Sequence, residues 1–202
     1  PWRDRDFLLV YLTRFLVTLG FYLTQTYLQY YLADVVRSFQ ALGRTLTEAP
    51  FQAVALLGLL ISLGAALASV PAGRASDRLG RKPLISLSGA GLGLLMPFLL
   101  LFPRYDLLLA LALVFGLFYG VYLAVDWALV ADVLKDPEAH ATDMGLWQTA
   151  IVVPQVLAGA FGRPLDLLNA QTPGLGYQVL YLLAALFFLL GAFGVAGVRR
   201  SR

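Results

Sequence analysis

Gly73-Arg74-Ala75-Ser76-Asp77-Arg78-Leu79-Gly80-Arg81-Lys82-Pro83 is a polar island between two long apolar runs. It holds four of the fifteen basic residues and a single acid. Two glycines permit tight backbone turns, and Pro83 suits the start of a new helix. On either side the sequence reads as membrane span. The chain is 59% hydrophobic and 13% charged, whereas a soluble domain carries about 25% charged residues. So much apolar surface finds its natural solvent in lipid. With no cysteine, neither a disulfide framework nor a thiolate metal site is available, and the redox compartment is not readable.

Outward from the island, six apolar runs predict an all-α, polytopic membrane protein: one domain over 1–202, with spans at about 7–36, 50–72, 83–103, 107–134, 143–162 and 176–198. Pro50 suits the first turn of the second span and Thr47 its cap; Thr172-Pro173-Gly174 breaks the chain before the sixth. Arg3, Arg5, the island's four, Lys135, Arg199, Arg200 and Arg202 fall on one side of the bilayer. Arg37, Arg44, Arg104 and Arg163 fall on the other, and Arg14 is intramembrane. The richer side is expected to be cytoplasmic, with both termini and the island, in a plasma (inner) membrane. The net charge of +3 is thus loop charge, not a nucleic-acid surface.

The third and sixth spans are almost purely apolar, with Gly89, Gly91, Gly93 and Gly191, Gly194, Gly197; they read as peripheral and lipid-facing. Gly58, Ser62, Ala65 and Ser69 form a small-residue stripe on the second span, and Gly116 and Gly120 a GxxxG on the fourth; both suit close helix packing. Arg14, Thr18, Tyr22, Gln25 and Gln29 on the first span fall within a sector of about 80°. Tyr119, Tyr122 and Asp126 share a face of the fourth, and Gln148 and Gln155 a face of the fifth. Polar groups facing lipid are costly, so these stripes should line an aqueous cavity or an interface. Interhelical hydrogen bonding without a passage is the alternative.

Arg14 and Asp126 lie at similar depths, about 12 Å inside the same membrane side, with Gln148 near that level. They are expected to pair, directly or through water, because an isolated charge there costs a few kcal/mol or more. The alternatives are snorkelling of Arg14 and a structural hydrogen bond from Asp126. The functional expectation is that Asp126 takes up and releases a coupling proton. Asp132 is expected to anchor a helix end, and Asp34 and Arg37 to form a surface pair. Trp127 and Trp147 read as interfacial or packing bulk. His140 lies in a loop with Asp136 and Glu138, but one histidine without cysteine makes a poor metal site. No GxSxG, HExxH or P-loop is present, so neither an enzyme nor a cofactor is expected.

Gly73-x-x-x-Asp77-Arg78-x-Gly80-Arg81-Lys82 resembles the signature loop of the major facilitator superfamily, which joins the second and third spans of each six-helix half on the cytoplasmic side. Ala75 stands where that family usually has Leu. Arg5-Asp6-Phe7, Leu12-Thr13-Arg14-Phe15, the stretch Tyr122-Leu123-Ala124-Val125-Asp126-Trp127-Ala128, and Asp143-Met144-Gly145 look most like the second half of glycoside–pentoside–hexuronide cation-symporter-like members. Ala141, Thr142 and Asp143 stand where that group often has an Arg.

The resemblance implies half of a twelve-helix fold, built as two three-helix repeats. The first, second, fourth and fifth spans would line the cavity, with the third and sixth outside and the substrate site between halves. Such a half needs a missing N-terminal half or a second, parallel copy; an opening Pro1 rather than Met favours the former. The expected function is secondary active transport of a small polar solute, sugars among the candidates, coupled to a proton or cation. Arg14, Gln25, Gln29, Asp126 and Gln148 would line the path. Gly73, Asp77, Arg78, Gly80, Arg81 and Lys82 would form a cytoplasmic gating latch, with Asp77 accepting from its own loop's arginines or meeting a helix N-terminus of the partner half. The alternative is a structural or assembly membrane module.

Overall fold

The computed structural model describes residues 4–133 and 140–199, the first two of the second stretch by backbone alone. Arg3, Lys135, Arg200 and Arg202 of the charge pattern lie outside the described residues, as do Asp136 and Glu138 of the acidic loop. Among these residues, seven α-helices account for six spans. They are α1 (Arg5–Tyr31), α2 (Pro50–Leu79), α3 (Arg81–Leu101), α4 (Tyr105–Val133), α5 (His140–Gly159), α6 (Gly162–Gln171) and α7 (Leu175–Gly194). Among the described residues, six segments are long and apolar enough to cross a membrane, α5 and α6 together making one. The protein is an integral membrane protein of the expected fold class.

Local chemistry sets the ends. Asp4 opens α1 by accepting from the Asp6 backbone N–H at 3.0 Å. Pro50 occupies the first turn of α2, as expected, but the cap residue is Ala49. The Thr47 hydroxyl accepts from Ala49 N–H at 3.1 Å and bonds the Gln52 side chain instead. At the far end, α1 widens into a π-helical turn, Leu32–Val36. Between this turn and α2 lies an antiparallel hairpin, β1 (Phe39–Ala41) and β2 (Arg44–Thr47), which the all-α expectation did not contain. Its two-residue turn places Leu42 at φ 52° and Gly43 at φ 76°, the positive angles that tight hairpins demand.

The island departs most from expectation. Helix α2 does not stop near residue 72 but runs to Leu79, and α3 begins at Arg81. Gly73 is an ordinary helical residue; the turn is made by Gly80 alone, at φ 90°. Nor does the fifth span end at Arg163. The chain breaks at Ala160–Phe161 and resumes as α6, where Asn169 Oδ1 accepts from Gly176 N–H at 2.8 Å and joins α6 to α7.

Helix α2 packs along α4 and α1 along α5; α7 lies against both α1 and α3, and α3 against α4. The α2–α4 seam is backbone on backbone: a Cβ on Gly64, Gly116 or Gly120 would press into Leu113, Ile61 or Ala65 main chain. The GxxxG of α4 therefore does pack. Of the small-residue stripe expected on α2, Ala65 lies in this seam, whereas Ser62 is exposed and Gly58 has open space. The seam uses Ile61, Gly64 and Ala65 because the two α4 glycines accept helix backbone at those turns.

The glycines of α3 and α7 likewise face protein. Gly89 meets Ala192, Gly93 meets Leu189, Gly91 meets the Phe118 ring, and Gly191 meets Val17. The outer faces are instead Leu87, Leu94 and Leu101 on α3, and Leu182, Leu186 and Phe193 on α7. Tyrosines tie neighbouring helices: Tyr31 Oη donates to Leu99 O at 2.7 Å, and Tyr105 Oη to Ala53 O at 2.9 Å. Tyr27 Oη donates to Ala158 O at 2.9 Å, satisfying a carbonyl at the end of α5.

Candidate functional site

Arg14 on α1 and Asp126 on α4 are both buried, and Arg14 Nη1 donates to Asp126 Oδ2 in a direct ion pair. The guanidinium turns inward rather than snorkelling, because a full counter-charge lies in the bundle and lipid offers none. Aromatic faces enclose it. Its Cζ lies 3.5 Å from the Trp147 ring centroid and 5.6 Å from that of Trp127. The two indoles meet edge to face at 4.8 Å. Trp147 is fully buried, whereas Trp127 is 45% exposed, so one edge of the cluster reaches the surface of the six-span body. These indoles do more than the bulk packing expected of them.

Tyr122, one turn before Asp126, is buried beside the carboxylate without a hydrogen bond of normal geometry. Arg14 Nε and Trp147 Nε1 are also buried without a hydrogen-bond partner. A run of rings continues from Tyr122 through Tyr119 to Phe21, the last two stacked at 4.4 Å. Phe21 and Gln25 then line an apolar cleft between α1, α2, α3 and α4, with Leu57, Met96 and Phe115.

The expected path residues are therefore not one cluster. Arg14 and Asp126 touch; Gln148 is half-buried next to Trp147 on α5. Gln25 and Gln29 are exposed, about 16 Å and 22 Å along α1 from Arg14. Gln155 is exposed on α5. A hydrogen bond between Tyr11 Oη and Thr149 Oγ1, at 3.0 Å, joins α1 to α5 near the cluster. Neither residue stood out in the sequence; Tyr11 lies three before Arg14 and Thr149 one after Gln148, which was the available signal.

At the island, Arg81 lies within ion-pair distance of Asp77, as expected, but is held more closely by Asp132. Its Nε and Nη2 both reach the Asp132 carboxylate on α4, the second at 3.4 Å, while Nη1 lies 3.6 Å from the largely exposed Asp77. Arg81 Nη1 also approaches Ser76 Oγ at 3.5 Å. Asp132 is thus more than a helix-end anchor: it ties α4 to the start of α3. Gly73 and Gly80 serve the backbone as described, Arg78 is exposed and Lys82 half-buried. At the other end, Asp34 and Arg37 are not an ion pair. Arg37 Nε donates to the Asp34 main-chain carbonyl at 2.7 Å, and the Asp34 carboxylate accepts from Tyr177 Oη. Arg37 takes φ 60° after the π-turn, which carries its side chain back to that carbonyl.

Among the described residues no group of three or more His, Asp or Glu side chains could hold a metal ion. A family model described as Major Facilitator Superfamily matches residues 10–201, nearly the whole chain. No curated protein matches it.

Proposed function

The chain belongs to the major facilitator superfamily, and we propose that it acts as the C-terminal half of a secondary active transporter. Transport across a membrane follows from the family; the finer reading is symport of a small polar solute, sugars among the candidates, with a proton or cation. The observation that carries it is the buried Arg14–Asp126 pair. A charge pair in the membrane interior is retained at a cost in stability that apolar packing would avoid, so it points to charge movement. Asp126 carries the coupling proton, and the polar face of α1 through Gln25 and Gln29, with Gln148 on α5, lines the solute path.

Two features of packing support the half-transporter reading. Exchanging α1 with α4, α2 with α5 and α3 with α7 maps the main helix contacts onto one another, as two three-helix repeats require. Helices α2 and α5–α6 are the least buried spans, at 22% each, against 39% or more for the others. Their exposed apolar rows, Leu59, Leu63 and Leu67 on α2 and Val152, Val153 and Val156 on α5, fit contact with a second bundle. That bundle is an N-terminal half or a parallel second copy. The island then faces the cytoplasm with both termini, and Asp77, which is largely exposed, meets the partner bundle in the closed state.

The test is gradient-driven uptake by the full-length protein in proteoliposomes, over a panel of labelled sugars and other small polar solutes. An inward proton or sodium gradient should drive accumulation, and Asp126→Asn should abolish accumulation while leaving equilibrative exchange. Monodisperse protein that moves none of the panel under either gradient would favour the structural-module reading.

A further inference from the structure

The cluster around Arg14 has more hydrogen-bond donors than acceptors. Arg14 offers its guanidinium N–H groups, Trp147 an indole N–H and Tyr122 a phenolic O–H, while the Asp126 carboxylate is the acceptor in their midst. Arg14 Nε and Trp147 Nε1 remain buried and unpaired, and Tyr122 Oη has only the already shared Asp126 carboxylate beside it; this is costly unless a further acceptor satisfies them in another state of the protein. The half-exposed Trp127 marks the edge from which such an acceptor could enter.

Charge balance narrows its identity. With both partners ionised, the Arg14–Asp126 pair is neutral. An anion entering alone would leave a buried net charge of −1, which a low-dielectric site resists. An anion entering with one proton keeps the site neutral: the proton goes to the Asp126 carboxylate, Arg14 Nη1 is released from Oδ2, and the guanidinium pairs with the incoming group. Arg is the side chain whose planar fork matches a carboxylate. We infer that the Arg14–Trp147–Tyr122 cluster is a binding site for an organic carboxylate, taken up together with one proton on Asp126.

The inference rests on the transport reading above and adds the substrate class. The charged and titratable groups acting on Asp126 are Arg14 from α1 and Tyr122 from α4 itself, with Tyr119 beyond. Helix α5 faces the pair with Trp147, which does not titrate. Helices α2 and α3 meet α4 through Ile61, Gly64, Ala65 and Gly91, and β1 through Phe39. Arg81 of α3 reaches α4 only six residues on, at Asp132.

Isothermal titration of the purified full-length protein in lipid nanodiscs tests this without requiring transport. The probes are acetate, lactate, gluconate and benzoate, each beside its neutral amide. At least one carboxylate should bind saturably while its amide does not. Its affinity should rise by up to about tenfold per unit as pH falls from about 8 to about 6, with about one proton taken up per anion. Asp126→Asn, which mimics the protonated acid, should bind the same carboxylate without pH dependence. Arg14→Gln should not bind; should that variant fail to fold, Arg14→Gln with Asp126→Asn keeps the site neutral and should also not bind. The inference is overturned by any of four results: no carboxylate binds the wild type, amides bind equally well, Asp126→Asn abolishes binding, or the double variant binds normally. Neutral-solute symport without carboxylate binding would sink this inference alone; carboxylate binding without gradient-driven uptake would sink the transport reading alone.

Discussion

The guanidinium carbon of Arg14 lies 3.5 Å from the centroid of the Trp147 ring, a stacking contact between α1 and α5 inside the bundle. It places a cation on the most electron-rich face that a side chain can offer, out of reach of water. Trp147→Ala should therefore cost about 3–5 kcal/mol from the cavity alone, with up to about 2 kcal/mol more from the lost cation–π contact. Trp147→Phe keeps a ring face and removes the unpaired indole N–H, and should cost much less. Thermal unfolding of the two variants in detergent, followed by circular dichroism, compares them.

Removing one partner of the buried pair should be worse than removing both. Arg14→Leu leaves Asp126 buried without a counter-charge and is expected to destabilise by about 3–5 kcal/mol. Arg14→Leu with Asp126→Leu should recover most of that loss while remaining inactive in transport. Melting temperatures of the single and double variants give the answer; an additive double variant would show that the pair is not coupled.

The α2–α4 seam should be damaged by one added methyl group, whereas α2 away from the seam should gain from one. Gly116→Ala drives a Cβ into the Ile61 main chain and should cost about 1–3 kcal/mol, because neither backbone can yield. Gly58→Ala meets open space within the helix and should stabilise by about 0.5–1 kcal/mol. Opposite shifts in melting temperature are the expected result.

The Arg81–Asp132 contact is partly exposed, so its coupling energy in a double-mutant cycle should be modest, about 0.2–1 kcal/mol. The cycle for Arg81 with Asp77 should give less, since that pair is 3.6 Å apart and the acid is largely in solvent. A larger value for Asp77 would reverse the assignment of Arg81's partner.

Leu42 takes φ 52° at a hairpin tip where its side chain is fully exposed. A left-handed conformation costs a residue with a Cβ about 1–2 kcal/mol, and Leu42 recovers nothing by packing. Leu42→Gly should raise the melting temperature, whereas Gly43→Ala, at φ 76°, should lower it.

What the sequence by itself determined is what depends on composition and on the run of the chain. Six apolar stretches read as six spans, since a bilayer imposes one length on every crossing. Arg14 and Asp126 could be matched because depth along a helix is a count of residues. Partners across helices are another matter, because they depend on rotation about each axis and on which helices are neighbours. Hence Ser62 was expected in a seam that Gly64 occupies, and Asp77, expected to accept from its own loop's arginines or to meet a partner helix, lies within ion-pair distance of Arg81 but shares it with Asp132 of α4, which holds it more closely. The indole stack on Arg14 needs α5 beside α1, a choice made by packing. The island changes most: it reads as a loop, yet its polar residues mostly end α2 and begin α3, with one glycine as the turn. Polarity marks where a helix leaves the membrane, but only the backbone decides where it stops being a helix.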